Sequence, residues 1–143
     1  MKWTKIQLAY LAGLIDGEGC IGIAKSSKQF RHDARLTIGM TDGEYLTALA
    51  DELGIGYLYS QKRAQRPGWK RRTCLSFGAT ACRILLPCVL PYLRLKRRQA
   101  ELLLEYLELA AHKYTKPGRA NKIYRAKVTA VYKALRALNK KGV

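Results

Sequence analysis

Apolar residues recur along this chain in two rhythms, one near 3.6 residues and one of two, which separate helices from strands. The first helical pattern opens at Thr4. Thr4 and Gln7 fit a capping box, and Trp3 and Leu8 stand where a hydrophobic staple would. This helix is expected to run to about Asp16. Cys20–Lys28 and Arg35–Met40 read as strands joined by a polar turn over Ser26–Asp33. In the second of them Leu36, Ile38 and Met40 alternate with Arg35, Thr37 and Gly39, giving one apolar face and one polar face. Thr41 or Asp42 is placed to cap a helix carrying Tyr45, Leu46, Leu49, Ala50 and Leu53, which stops at Gly54. A second hairpin follows, Gly56–Arg63 and Arg71–Ala79, turning at Arg66-Pro67-Gly68. Thr80 is expected to cap a helix that ends near Pro87–Pro91. Leu95–His112 is a leucine-rich helix, Lys116-Pro117-Gly118 breaks the chain, and Ala120–Asn139 forms a last helix. The pattern predicts an α+β domain over residues 1–143, with a C-terminal helix over 119–140. Its four strands form one antiparallel sheet with helices on one face. The other face, polar and basic, is left over.

Charge changes the picture more than length does. The chain holds 27 Lys and Arg against 10 Asp and Glu, a net charge of +17, with a pI near 10.1. That is the footprint of a polyanion binder, without choosing between DNA, RNA and a membrane surface. Hydrophobic residues make up 48% of the chain, enough for a packed core rather than a disordered basic tail. No run approaches the roughly 18 apolar residues of a membrane span. The N-terminus shows no h-region of a leader. An intracellular protein that makes no use of a membrane is therefore expected. The four cysteines form no C-x-x-C pair and there are only two histidines, which argues for reduced, mostly buried thiols rather than a structural zinc site.

The end of the first helix, Tyr10-Leu11-Ala12-Gly13-Leu14-Ile15-Asp16-Gly17-Glu18-Gly19, carries the chemistry. A helix C-terminus bears partial negative charge and favours Lys or Arg, so Asp16 and Glu18 there need a compensating cation or partner. With so few acids in the chain, a metal site is the natural reading. Ala9, Gly13 and Gly17 recur every fourth residue as a stripe with almost no side chain. Glycine inside a helix costs up to about 1 kcal/mol relative to alanine, so Gly13 implies close approach of another helix. That helix is either a symmetry mate or another part of the same chain.

Leu11–Gly19 resembles the signature of the LAGLIDADG homing endonucleases, with Glu18 in place of the second aspartate. The motif occurs once, as in the single-motif branch of that family. The resemblance implies an αββαββα fold with a saddle-shaped DNA-binding sheet and additional C-terminal helices. It also implies a homodimer that cuts long, roughly palindromic double-stranded DNA sites by divalent-metal-dependent hydrolysis, leaving 3′ overhangs. The pairing surface would comprise Ala9, Leu11, Ala12, Gly13 and Asp16. Mg2+ is the expected cofactor, with Mn2+ able to replace it and Ca2+ binding without supporting cleavage. Glu18 and the Gly17 carbonyl would hold the metal, while Asp16 is read as a brace of the helix end. Pro91–Ala100 resembles the family's segment bearing a basic active-site residue, which falls on Lys96, with Arg97 and Arg98 as rivals. Asp42 lies near a water-ordering position that is often Gln in the family; it either serves there or simply caps its helix.

On the same resemblance, DNA recognition falls to the leftover sheet face. The first hairpin offers Ser26, Lys28, Arg31, Arg35 and Thr37, and the second offers Tyr57, Tyr59, Gln61, Arg63, Lys70 and Arg72. In the return strand, polar alternation points Arg72, Cys74 and Ser76 outward, whereas counting back from Lys96 points Thr73 and Leu75. The last helix reads as a packed outer helix with a solvated basic face, contact with the DNA backbone being the alternative. A LAGLIDADG-like protein that has lost cleavage, acting as an intron RNA maturase or DNA-binding regulator, is the second reading. A ribosomal-type RNA-binding protein is a third, and gives no reason for a glycine stripe ending in acid.

Overall fold

The computed structural model describes residues 2–26, 31–62, 64, 66–111 and 119–140, with backbone alone at Ser26, Arg31, His32 and residues 119–121. Helix α1 spans Lys5–Glu18 and begins with the expected capping box. The Gln7 N–H donates to Thr4 Oγ1 at 3.2 Å, and the Thr4 N–H donates to Gln7 Oε1 at 2.8 Å. Trp3 is buried and its indole N–H reaches the Leu53 carbonyl at 3.2 Å, tying the start of α1 to the end of a later helix. α1 runs two residues further than its sequence pattern indicates. It ends where Gly19 turns directly into a strand, and a Cβ on Gly19 would lie 2.6 Å from the Ile15 carbonyl oxygen. Only glycine fits that crossing.

Strands β1 (Gly19–Ser26) and β2 (Arg31–Met40) pair antiparallel; β2 begins four residues earlier than alternation suggests. The tip, with Lys28, lies outside the described residues. Helix α2 (Gly43–Leu53) is capped by Asp42, whose Oδ1 accepts from the Tyr45 N–H at 3.0 Å, and it closes on Gly54 in the left-handed region, φ 68°. Strands β3 (Tyr57–Ser60) and β4 (Thr73–Phe77) follow, both shorter than expected. The sheet order is β1-β2-β4-β3, antiparallel at all three junctions.

Helix α3 (Ala79–Val89) departs from the sequence reading at its start and ends within the expected Pro87–Pro91 stretch. Gly78, not Thr80, is its first flanking residue, and the helix continues through Pro87 before a 3-10 turn at Leu90–Tyr92. Proline removes one helical N–H donor, and here the surrounding burial of Leu85, Leu86 and Val89 outweighs that loss. Helices α4 (Arg97–Ala111) and α5 (Arg119–Asn139) complete the chain.

One core joins the layers. Ile21, Leu36, Ile38, Leu75 and Phe77 from one face of the sheet pack with Leu8, Leu11, Ala12 and Ile15 of α1 and with Leu86, Val89, Leu103 and Leu107 of α3 and α4. Helix α5 buries Val128, Val131 and Leu135 on α4 and leaves its basic residues in solvent. Near its end the Asn139 side-chain amide donates to the Ile21 carbonyl at 2.8 Å. β1 is an edge strand, and this contact covers part of its open ladder.

Candidate functional site

Two acids at the end of α1 lie two residues apart and meet opposite surroundings. Asp16 is half-buried, and its carboxylate accepts three backbone N–H groups, from Arg94 at 2.9 Å, Leu95 at 3.1 Å and Lys96 at 2.9 Å. These are the donors at the entry to α4, where Lys96 is the residue whose carbonyl opens the helix by accepting from Ala100. Asp16 therefore clasps the turn that leads into α4, from a helix 80 residues away from Lys96, the residue that flanks α4. The traffic runs both ways. Lys96 Nζ donates to the Ile15 carbonyl at 3.1 Å and to the Gly19 carbonyl, closing the C-terminus of α1. The acid that looked misplaced on a negative helix end sits on a positive one, and a lysine neutralises the end it came from. The brace expected of Asp16 is what the geometry shows.

Glu18 is the last residue of α1, within the helix rather than beyond it, and it is exposed. It makes no hydrogen bond or ion pair among the described residues. Its carboxylate borders two open cavities. One, about 450 Å3, is lined by Glu18, Gly39, Met40, Thr41, Asp42, Trp69, Lys70 and Arg72. The other, about 370 Å3, runs over the sheet past Cys20, Arg35, Thr37, Tyr59, Gln61 and Cys74, with Gly39 and Arg72 shared. Asp42 caps α2 with one oxygen, and the residue also lines the cavity that Glu18 borders.

The donor set around Glu18 is hard oxygen, suited to Mg2+ or Ca2+ rather than a soft metal. The Gly17 carbonyl belongs to the last turn, whose acceptors intrahelical bonding leaves over. Among the described residues no group of three His, Cys, Asp or Glu side chains gathers at one point. One carboxylate and one carbonyl would leave most of an ion's coordination to groups from outside the described residues.

Strand register settles which residues face outward. Cys20, Thr37, Ser76 and Tyr57 form one row across the sheet, and Gly39, Cys74 and Tyr59 form the next. Arg72, Cys74 and Ser76 therefore share the outer face, as polar alternation indicates, while Thr73 and Leu75 point the other way. Arg35, Thr37, Tyr57, Tyr59 and Gln61 all lie on the outer side. Ser26 and Arg31 pair at the outer end of the hairpin with their side chains undescribed, and Lys28 and Arg63 lie outside the described residues. The centre of this face is closed. Ser76 is fully buried, with its hydroxyl 3.4 Å from that of Thr37, so it presents nothing to a ligand. Tyr57 and Tyr59 stand beside one another on the edge strand, ring centroids 6.1 Å apart. Burial and a bond to Cys74 raise the Tyr59 phenol, which stays a neutral donor. Burial likewise pushes the Cys82 thiol up to about 11, and all four cysteines are free, matching the reduced-thiol reading.

The expected pairing surface needs correction. Leu11 and Ala12 are buried in the chain's own core, on the face that packs against the sheet, and Asp16 is engaged with α4. The opposite face of α1 is bare. A Cβ at Gly13 or Gly17 would meet nothing within 4 Å, so none of the described residues is the close neighbour their lack of side chain implies. Ala9 and Gly13 are exposed on that side. Ile6 is 82% exposed, Tyr10 56% and Leu95, held at the helix end by Asp16, 76%. Sequence reading missed these three, though Ile6 and Tyr10 lie one turn apart and Ile6 sits where a soluble helix would carry a polar residue. It also missed Trp69, exposed under the Arg66 guanidinium at 4.9 Å and bordering the Glu18 cavity.

Comparison with known proteins points one way. A family model described as LAGLIDADG endonuclease matches residues 11–80. DNA endonuclease I-CreI of Chlamydomonas reinhardtii is 32% identical over 118 residues, which make up 75% of this chain and 66% of that protein. The chain thus spans just under two thirds of that relative's length. Among solved structures, the homing endonuclease I-CvuI in complex with the I-CreI target superposes with a TM-score of 0.74 at 23% identity, covering 97% of this chain and 85% of that one. The archaeal intron-encoded homing endonuclease I-Vdi141I, complexed with DNA, gives 0.77 at 17% identity, covering 96% and 87%. At such identities the superpositions establish the fold, a four-stranded antiparallel sheet backed by helices.

Proposed function

The chain belongs to the LAGLIDADG endonuclease family, and from that premise we propose that it is a homodimeric, divalent-metal-dependent endonuclease that cuts long, near-palindromic duplex DNA to leave 3′ overhangs. The observation that carries this reading is the end of α1: an exposed Glu18, unpaired among the described residues, on a helix whose glycine face none of them covers. Two copies packed through that face bring the two Glu18 carboxylates together on a twofold axis. Ala9, Gly13 and Gly17 allow close backbone approach, while Ile6, Tyr10 and Leu95 supply apolar area at the rim. Each Glu18 then serves one DNA strand.

The ion would be held by Glu18 and the Gly17 carbonyl of each protomer, and when bound it supplies Lewis-acid stabilisation of charge growing on the phosphate oxygens. The chain's own groups do the rest. Lys96 donates two of its three N–H bonds to carbonyls flanking Glu18, leaving one for a phosphate oxygen. This fixes the ammonium beside the reacting centre without an acidic partner. Asp42, pinned by its cap bond, orients water at the mouth of the cavity. Arg35, Thr37, Tyr57, Tyr59 and Gln61 meet base edges in the major groove. The basic tip of the second hairpin, Lys62, Arg66, Lys70 and Arg71 with Arg63, contacts phosphates and makes affinity steeply salt-dependent. Lys28 and Arg31 do the same at the first hairpin.

The test is a cleavage selection. The protein is incubated with a randomised duplex library and Mg2+, and the cut ends are sequenced beside a Glu18→Gln control. One long, near-palindromic consensus cut only by the wild type supports the proposal. Enrichment of a bound sequence with no cutting would replace it with the binding-protein reading, in which the family scaffold survives as a maturase or regulator.

A further inference from the structure

Of the cations on the sheet, Arg72 is placed unlike the rest. It leaves the chain just before β4, is only half-exposed, and lies flat over the backbone of Gly39 in the neighbouring strand, where Nη2 donates to the Gly39 carbonyl at 2.9 Å. A Cβ on Gly39 would stand 2.8 Å from Nη2 and 3.0 Å from both Cζ and Nε. Gly39 is thus the shelf on which the guanidinium rests. Its position is decided by β2 as much as by its own strand.

From that shelf Arg72 borders both cavities that meet at Glu18. Arg35 borders only the one over the sheet, and Lys70 only the one beside Asp42. Arg72 has no acidic partner within ion-pair distance among the described residues, and one of its five N–H donors is occupied. A half-buried guanidinium with donors to spare, held still and facing polar space, is organised to receive an anion.

Building on the endonuclease reading, we propose that Arg72 is a catalytic residue of the cleavage step and not a reader of sequence. Its guanidinium binds the phosphate that is cut at Glu18 and neutralises charge on the non-bridging oxygens. In the step itself a water oxygen bonds to phosphorus as the bond from phosphorus to the leaving sugar oxygen breaks. The water's proton goes to solvent and the leaving oxygen takes one from solvent. Arg72 neither gives nor takes a proton; it holds charge that exists mainly in the transition state. Preorganisation on Gly39 is what makes such a cation effective, since nothing need rearrange as the charge develops.

The experiment separates rate from binding on the target selected above. Single-turnover cleavage is measured with Mg2+ at saturating enzyme, and affinity is measured with Ca2+, for the wild type, Arg72→Gln, Arg72→Lys, Gly39→Ala and the Arg72→Gln/Gly39→Ala double variant. Circular dichroism checks the fold of each. Arg72→Gln is expected to slow cleavage about 100- to 1,000-fold while affinity changes less than about tenfold and the sequence consensus stays the same. Arg72→Lys keeps the charge and should recover part of the rate. Gly39→Ala dislodges the guanidinium without removing it, so it should slow cleavage by an intermediate amount and add nothing in the double variant. Rate and affinity falling together, a consensus altered at one position, or a fully additive Gly39→Ala would each overturn the assignment. A wild type that cuts no duplex sinks the endonuclease reading and Arg72's role with it, whereas a wild type that cuts while Arg72→Gln matches it sinks only Arg72.

Discussion

The junction of α1 with α4 and the cavity beneath Glu18 are built from the same stretch of chain, yet one is closed and the other open. At the junction Asp16 holds three N–H groups of the turn leading into α4, and Lys96 holds two carbonyls at the end of α1. In the cavity Glu18 has no partner among the described residues, and Arg72 rests on a carbonyl with donors to spare. A folded chain does not normally leave charged groups so placed unless something outside it completes them. The closed junction is what makes the open cavity useful, because it fixes the helix end from which Glu18 projects.

The sharpest test of that contrast is to remove each acid in turn. Glu18→Gln should abolish cleavage, by about 1,000-fold or more, while urea unfolding shifts by less than about 0.5 kcal/mol, since an exposed unpaired side chain contributes little to stability. A substantial loss of stability instead would mean that Glu18 has a structural partner. The bare face of α1 comes next. Gly13→Leu should leave the monomer folded, because the added side chain meets open space, yet weaken dimerisation by about 3 kcal/mol, roughly 100-fold. Sedimentation velocity reads this directly, and an unchanged dimer would place the interface elsewhere.

Asp16→Ala should cost about 2–3 kcal/mol of unfolding free energy, because it strips a carboxylate from three N–H groups of the turn into α4 at once. A double-mutant cycle with Lys96→Met tests whether the reciprocal contacts act as a unit: coupling above about 0.5 kcal/mol is expected, and simple additivity would separate them. The smallest effect belongs to Asp42. Asp42→Ala should lower stability by about 1 kcal/mol through the lost α2 cap, whereas Asp42→Asn, an equally good cap, should not. Any cleavage defect that survives in Asp42→Asn measures its charge in the cavity, and none would leave it a cap alone.

Much of this was legible along the chain because the relevant signals are local. Thr4 with Gln7, Asp42 with Tyr45 and Gly54 each mark a helix end through partners no more than four residues away. The alternation from Arg35 to Met40 marks a strand with two unlike faces. Boundaries were less legible where tertiary pairing carries a strand into polar sequence, as at the start of β2. The motif set Glu18 and Asp16 apart as ligand and brace, but not which distant N–H groups Asp16 holds, since that depends on what stands opposite it.

The sequence by itself determined that this is a folded, strongly basic α+β chain with a glycine-faced helix ending in acid, and that it carries a LAGLIDADG signature. Periodicity, caps and composition need only neighbours. The tertiary structure alone decided that Asp16 clasps the turn into α4, that Leu11 and Ala12 turn inward, and that Arg72 rests on Gly39 beside Glu18. It also decided that none of the described residues covers Gly13. Each of these depends on contacts between distant segments, where side-chain size, register and the direction of approach choose the partner and local propensity carries no information about it.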